Sequence, residues 1–164
     1  MKPSGWIASA IAAFASVMLP ACDLVNLPEI KAGVTTASEV QSRMGKPGFE
    51  FQNTDGSVTW EYTRQPQGTQ CYMITIGNDQ IVQKMEQVLN EANYGKLREG
   101  MSSEAVRRLL GSPASKVVFN NLGENIWEWR IEGMPTIDET YFMVHFDLQT
   151  GLVRKTSKRV VAKG

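Results

Sequence analysis

Residues 97–113 read LREGMSSEAVRRLLGSP, and residues 30–47 read IKAGVTTASEVQSRMGKP. Both stretches place a Gly shortly before a Ser or Thr, then a Val, and then a Gly-x-Pro. Self-similarity along a chain is the sequence signature of a repeat architecture. The two stretches therefore predict that one structural unit occurs twice.

Further matches follow these stretches in the same order. Trp60-Glu61-Tyr62 matches Trp127-Glu128-Trp129, residues 72–76 match 142–146, and residues 81–84 match 152–155. We interpret the pattern as a tandem duplication. Its first copy spans residues 29–88, and its second copy spans residues 89–157.

Each copy opens with signals for a short helix. Thr36 and Glu39 have the spacing of a capping box, and Ser102 occupies the matching cap position in the second copy. Gly45 and Gly111 stand where a residue with positive φ ends a helix, and a proline follows each of them. The Gly-x-Pro therefore predicts a helix end and not a phosphate-binding loop.

Alternation with a period of two predicts strands after each helix. The alternating segments are 58–62, 72–76, 127–131 and 142–146. Turn-forming residues between them predict hairpins, and residues 85–93 read as a helix leading into the second copy. We expect an α+β fold of two tandem repeats, each with short helices packed on one face of an antiparallel β-meander.

The N-terminus resembles a bacterial lipoprotein signal peptide over residues 1–21. Its apolar run is too short to span a membrane and lies where a secretory signal has its hydrophobic region. Leu19-Pro20-Ala21-Cys22 resembles a lipobox, which implies cleavage before Cys22 and lipid attachment to it. The alternative is an ordinary secretory peptide with a chance cysteine.

The lipid would anchor the folded body through a short tether, residues 22–28, because several buried acyl chains hold a protein stably on a membrane. Asp23 follows the lipidated position. In enterobacterial lipoproteins an Asp there tends to retain the protein in the inner membrane. We expect the outer membrane, facing the periplasm, with inner-membrane retention as the alternative.

Composition argues against several functional classes. The 17 basic and 17 acidic residues cancel, unlike the clustered positive charge of a nucleic-acid-binding protein. Two cysteines and one histidine predict neither a disulfide framework nor a histidine-rich metal site. No dinucleotide fingerprint, P-loop or nucleophile elbow occurs. We expect no enzyme activity and no cofactor.

Four polar residues on predicted strands have structural explanations. His145, the only histidine, favours a structural or solvent-facing role over that of a general base. Cys71 reads as a buried strand residue. Glu61 and Glu128 fall on strand positions that we expect to face solvent.

The second copy resembles the SmpA/OmlA family of small lipoproteins, the BamE-type accessory of the outer-membrane β-barrel assembly machinery. The residues that carry the resemblance are Gly100-Met101-Ser102, Val106, Leu110-Gly111-Ser112-Pro113 and Trp127-Glu128-Trp129. BamE-type proteins usually carry one such unit, whereas this chain has two. Tandem units of this kind resemble the β-lactamase inhibitor protein, which grips another protein with a concave sheet. The resemblance implies the fold more firmly than the partner.

Aromatic residues supply the candidate contacts with a protein. We expect Trp60 and Trp127 to anchor the core between helix and sheet. Tyr62 and Trp129, at the ends of predicted strands, are the candidates for an exposed binding face, where an aromatic residue would be a natural hot spot.

The C-terminus is basic. From residue 154 onward the chain has five basic residues and no acidic one, and we take residues 158–164 as a tail. The basic residues are Arg154, Lys155, Lys158, Arg159 and Lys163. They form either a solvated tail or a contact with anionic lipid headgroups.

The sequence thus predicts a membrane-anchored periplasmic lipoprotein. It would act as a non-catalytic accessory in outer-membrane protein assembly or envelope integrity, with the barrel-assembly machinery as its partner by resemblance. The alternative is a protein inhibitor or ligand-binding module that shares only the fold, which an exposed aromatic sheet would favour. An envelope stress factor retained in the inner membrane is a further alternative, which Asp23 would favour.

Overall fold

The computed structural model describes residues 27–133 and 139–162. The signal peptide, Cys22, Asp23 and Lys163 lie outside these residues. After a 3-10 turn at Leu27–Glu29, the helices are α1 (Ala37–Met44), α2 (Glu91–Tyr94) and α3 (Ser103–Leu110). The strands are β1 (Phe49–Gln52), β2 (Val58–Thr63), β3 (Cys71–Ile76), β4 (Val82–Gln87), β5 (Ser115–Phe119), β6 (Glu124–Ile131), β7 (Glu139–Asp147) and β8 (Val153–Val161).

The strands form two separate antiparallel sheets. The first sheet has the order β1-β2-β3-β4, and the second sheet has the order β5-β6-β7-β8. Each is a meander, because every strand pairs with its neighbour in sequence. With three short helices among the described residues, this confirms the predicted α+β class. None of these helices is long and apolar enough to cross a membrane.

The helix ends follow the predicted signals. The Thr36 amide donates to Glu39 at 2.8 Å and Thr36 accepts from the Glu39 amide, which completes the capping box of α1. At α3 the Ala105 amide donates to the Ser102 hydroxyl at 3.2 Å. Gly45 and Gly111 follow the two helices with φ of 79° and 77°, a region that favours glycine.

The first sheet is covered on both faces. On one face Trp60 and Ile74 pack with Val40 of α1. On the other, Cys71 and Met73 belong to a core that also contains Val106 and Leu110 of α3, and Trp129 and Val144 of the second sheet. The packing order is therefore α1, first sheet, α3, second sheet.

This order corrects the expectation that Glu61 faces solvent. The alternation along β2 is as predicted, but α3 covers the face that carries Glu61, and only 1% of Glu61 is exposed. Glu128, on the outer face of the second sheet, is partly exposed. Cys71 is fully buried, as expected.

Two predicted boundaries are wrong. Only Glu91–Tyr94 of the predicted helix at 85–93 is helical, because residues 85–87 continue β4 and Met85 pairs with Ile74 of β3. The predicted tail at 158–164 begins inside β8. The long strand β7 continues to pair with β8 as far as Val161, so Lys158 and Arg159 are strand residues.

Candidate functional site

Tyr62 and Trp129 do not form an exposed binding face. Their exposed fractions are 3% and 0%, so the expectation of exposure is wrong. The Tyr62 hydroxyl donates to the Gly45 carbonyl at 3.0 Å, and Trp129 Nε1 donates to the Gly111 carbonyl at 3.1 Å. Each aromatic residue thus satisfies its polar atom while tying a strand to the end of a helix. Burial raises the pKa of Tyr62 to about 12.

An open cleft of about 460 Å³ lies where β1, α3 and β5 meet. It lies between the two sheets, so it depends on how their halves of the chain pack. Its lining residues are Phe49, Glu50, Phe51, Gln52, Ser103, Glu104, Arg107, Arg108, Lys116 and Trp127.

Three aromatic residues are part of the cleft wall. Phe49 and Phe51 contact edge to face with ring centroids 4.8 Å apart. The Arg107 guanidinium carbon lies 3.8 Å from the centre of the Phe49 ring, which is a close cation–π contact. Trp127 belongs to the buried core, as expected, and also lines the cleft.

Carboxylates balance the two arginines of the cleft. Arg107 Nε lies 3.8 Å from Glu61 Oε2, and Arg108 Nε lies 3.4 Å from Glu104 Oε1. Glu61 is buried below the cleft, so its charge offsets that of Arg107 from the protein side.

Lys116, unlike the two arginines of the cleft, has no carboxylate nearby in the part of the chain that the structure describes. Its Nζ lies 3.9 Å from the centre of the Trp127 ring, and no carboxylate of the described residues lies within 4.0 Å of it. Partial desolvation of this largely exposed side chain, followed by the nearby charge of Arg107, lowers the pKa of Lys116. Trp127 Nε1 is buried without a hydrogen-bond partner among the described residues. The cleft therefore combines an unbalanced cation with an unsatisfied donor.

The predicted basic cluster lies on β8. Each of its four described members is within 4 Å of a carboxylate, which offsets its charge. The pairs are Arg154 and Lys155 with Glu124, Lys158 with Glu91, and Arg159 with Glu128. Contact of this cluster with lipid headgroups stays a prediction.

His145 is buried and takes part in a hydrogen-bonded line across three strands. Its Nδ1 lies 2.9 Å from Glu124 Oε2, and its Nε2 lies 2.8 Å from Ser157 Oγ. The strand register places this line on the face of the second sheet opposite Trp127 and the cleft. The hydrogen bond from His145, followed by the charges of His145, Lys155 and Arg154, lowers the pKa of Glu124.

Sequence reasoning missed most of the cleft. Phe49, Arg107 and Lys116 come from three elements that are distant in sequence, and no local motif links them. Within the described residues, no group of three or more His, Cys, Asp or Glu side chains is arranged to hold a metal ion.

No family model and no curated protein sequence matches the chain. Among solved structures, a proposed β-lactamase inhibitor protein of Streptococcus mutans is similar at 12% identity and a TM-score of 0.33, covering 76% of this chain and 82% of its own. A DUF4309 family protein of Bacillus subtilis is similar at 12% identity and a TM-score of 0.30, covering 82% and 83%. An extracellular protein with an SCP domain of Bacillus anthracis gives 9% identity and a TM-score of 0.33, covering 93% and 50%.

Similarities of this size carry no argument about what this chain does. The α+β class rests on its own two sheets. The resemblance to the SmpA/OmlA family gains no support from these comparisons.

Proposed function

We propose that this protein is a membrane-anchored lipoprotein that acts without catalysis, by binding another protein in outer-membrane protein assembly or envelope integrity. The anchor is the lipid on Cys22, behind the cleavage motif Leu19-Pro20-Ala21. The folded body faces the periplasm from the outer membrane, with inner-membrane retention through Asp23 as the alternative address.

The proposal includes the finer description of the fold as a duplicated SmpA/OmlA-like unit with the layout of a β-lactamase inhibitor protein. Two observations support it. Each half has a capped helix followed by a four-stranded meander. In both halves an aromatic residue of a strand donates to the glycine carbonyl that ends the helix, Tyr62 to Gly45 and Trp129 to Gly111.

Strand β5 carries the proposal of protein binding. It is an edge strand, and no other described strand pairs along its outer side. Val117, Val118 and Phe119 are exposed by 40%, 51% and 39%, with side chains on both faces. The other edge of the same sheet, β8, carries four basic side chains, which protect an edge from strand pairing. An extended segment of a partner protein can therefore add to β5 through main-chain hydrogen bonds.

Affinity purification of the tagged, lipidated protein from detergent-solubilised membranes tests this proposal. We expect the barrel-assembly core to be enriched with the native chain and lost with the double variant Val117→Lys, Val118→Lys, because lysine on an edge strand opposes strand addition. The matched control is Val160→Lys on β8, an exposed valine on the other edge. Equal recovery with all three proteins removes β5 as the contact, and no enrichment with the native chain removes the assembly role.

Fatty-acid labelling and membrane fractionation test the anchor independently of the partner. Cys22→Ser removes the lipid-bearing sulfur together with the cleavage signal, so we expect the variant to incorporate no labelled fatty acid and to keep residues 1–21. Asp23→Ser tests which membrane holds the protein. A shift from the inner to the outer membrane would show that Asp23 retains the protein in the inner membrane. Incorporation of labelled fatty acid by Cys22→Ser at the level of the native chain would contradict the lipid anchor.

The proposal includes contact between the basic cluster and anionic lipid headgroups, and we expect this contact to add little to membrane binding. The cluster is Arg154, Lys155, Lys158, Arg159 and Lys163. A basic residue near an anionic surface contributes about 1 kcal/mol, and the four strand residues already have carboxylates nearby. Binding of the unlipidated chain from residue 23 onward to anionic vesicles, with and without glutamine at the five positions, measures the effect. Equal binding would exclude it.

One observation favours a second function, the binding of a small ligand. This is the cleft between β1, α3 and β5, with its aromatic wall and its unbalanced Lys116.

A further inference from the structure

The charges around the cleft leave Lys116 as its unbalanced cation. Glu61 offsets Arg107, and Glu104 offsets Arg108. Glu50 also lines the cleft, but alternation along β1 puts its side chain on the opposite sheet face from Phe49 and Phe51. Lys116 is exposed to solvent, and its Nζ lies over the Trp127 ring with no described carboxylate beside it, so an incoming anion would find an accessible cationic partner there.

The wall of the cleft also favours a ligand with an apolar or aromatic part besides its negative charge. Phe49 is 39% exposed and presents a ring that can pack against an apolar or aromatic body, with the largely buried rings of Phe51 and Trp127 lining the cleft beside it. Trp127 adds a buried Nε1–H that no described residue accepts. A cleft of about 460 Å³ is within the size range of small-molecule sites, and its three aromatic rings lie among seven polar or charged lining residues.

We propose that the cleft between β1, α3 and β5 is a binding site for a small organic anion with an aromatic body, its carboxylate paired with Lys116 and its ring packed against Phe49 and Trp127. A bare inorganic anion would leave the aromatic wall unused, and a neutral aromatic molecule would leave Lys116 unpaired. The inference rests on the second candidate function and names its ligand class, and it is separate from protein binding, because it uses the interior of the cleft and not the outer edge of β5.

The test uses the full lipidated chain in detergent micelles with 2-naphthoate as the probe. The neutral isostere 2-naphthamide measures how much binding needs the charge. Titrations are followed through the indole N–H resonances of the tryptophans, with Trp127 assigned by Trp127→Phe. Lys116→Met removes the cation and keeps the length of the side chain. Lys46→Met, at an exposed lysine outside the cleft, is the matched control for net charge.

We expect naphthoate to shift the Trp127 resonance and to leave that of Trp129 in place, since Trp129 Nε1 is fully buried and bonded to Gly111. Binding should weaken about fivefold in Lys116→Met and for naphthamide, the size of one partly exposed ion pair, and stay unchanged in Lys46→Met. An unshifted Trp129 resonance in Lys116→Met shows that the variant is folded.

The proposal is overturned if millimolar naphthoate leaves the Trp127 resonance unshifted. It is also overturned if naphthamide binds as tightly as naphthoate, or if Lys116→Met and Lys46→Met bind equally. Failure here is distinct from failure of the protein-binding role, because Lys116→Met should lose affinity for naphthoate while keeping the partner protein, and Val117→Lys, Val118→Lys should lose the partner protein while still binding naphthoate.

Discussion

The backbone amide of Ser112 donates to Glu61 Oε1 at 3.1 Å, across 51 positions of sequence. Glu61 belongs to β2 of the first sheet, and Ser112 follows the end of α3. The second carboxylate oxygen lies 3.8 Å from Arg107 Nε. One buried carboxylate therefore links the back of the first sheet to the helix that packs between the two sheets.

Replacing Glu61 should destabilise the whole fold. Glu61→Ala leaves the Ser112 amide without its acceptor and Arg107 without its counter-charge, and removing one partner of a buried pair costs about 3 kcal/mol of unfolding free energy. Glu61→Gln keeps an acceptor for Ser112 and should cost less. Denaturant unfolding measures both. Glu128→Ala, the matching but partly exposed glutamate of the second sheet, should cost about 1 kcal/mol or less. Equal losses at the two positions would contradict the link.

Two glycines that end helices should respond differently to alanine. Gly45 and Gly111 have nearly the same φ and ψ, in a region that is essentially restricted to glycine, so each substitution costs roughly 1–3 kcal/mol in backbone strain. A Cβ at Gly45 meets nothing within 4 Å, whereas one at Gly111 would lie 2.4 Å from Cys71 Sγ. We expect Gly111→Ala to cost roughly 1–3 kcal/mol more, measured by thermal or denaturant unfolding.

The same contact predicts a rescue. Cys71→Ala removes the sulfur that a Cβ at Gly111 would strike, so the double variant should be more stable than the sum of the two single losses. Additive losses would show that the clash does not determine the cost.

The Cys71 thiol should be inert in the folded protein. Burial, and to a lesser degree the charge of Glu61, raises the pKa of the Cys71 thiol to about 12. At about pH 8 almost no thiolate forms, and reagents cannot reach the sulfur. We expect a disulfide reagent such as DTNB to react with Cys71 at the unfolding rate, and rapidly only in denaturant. Fast reaction in buffer would contradict the burial of Cys71.

Stability should fall in acid through Glu124. Its pKa is lowered in the folded protein, so the stability it contributes is present above the ordinary value of 4.5 and is lost as the pH falls through the lower folded value. The difference in unfolding free energy between the native chain and Glu124→Gln should therefore shrink as the pH drops below about 4.5. Glu86→Gln, at an exposed glutamate of β4, is the control. A constant difference across this range would contradict the assignment.

Local sequence patterns predicted where helices and strands occur better than they predicted which side chains are buried. Helix ends at Gly45 and Gly111 depend on neighbouring residues, and the capping signals at Thr36 and Ser102 determine the helix starts directly. Burial of Glu61, Tyr62 and Trp129 depends on which helix covers which sheet face, and alternation along one strand carries no such information.

The cleft could not be predicted from the sequence, because it also depends on how the helices and sheets pack. Lys116 and Phe49 become neighbours of one cavity only when α3 packs between the sheets. The length of β8 depended on pairing with β7, so its basic residues read as a tail when taken alone.

The most direct test of the protein-binding role is photo-crosslinking in living cells. A photoreactive residue at position 118 on β5 should crosslink to a component of the barrel-assembly machinery in the membrane fraction. The same residue at position 86 on β4 or at position 160 on β8 should not. Crosslinking that depends on position 118 and disappears in Cys22→Ser is the predicted result. Equal crosslinking from all three positions, or none from position 118 in correctly lipidated protein, would contradict the role.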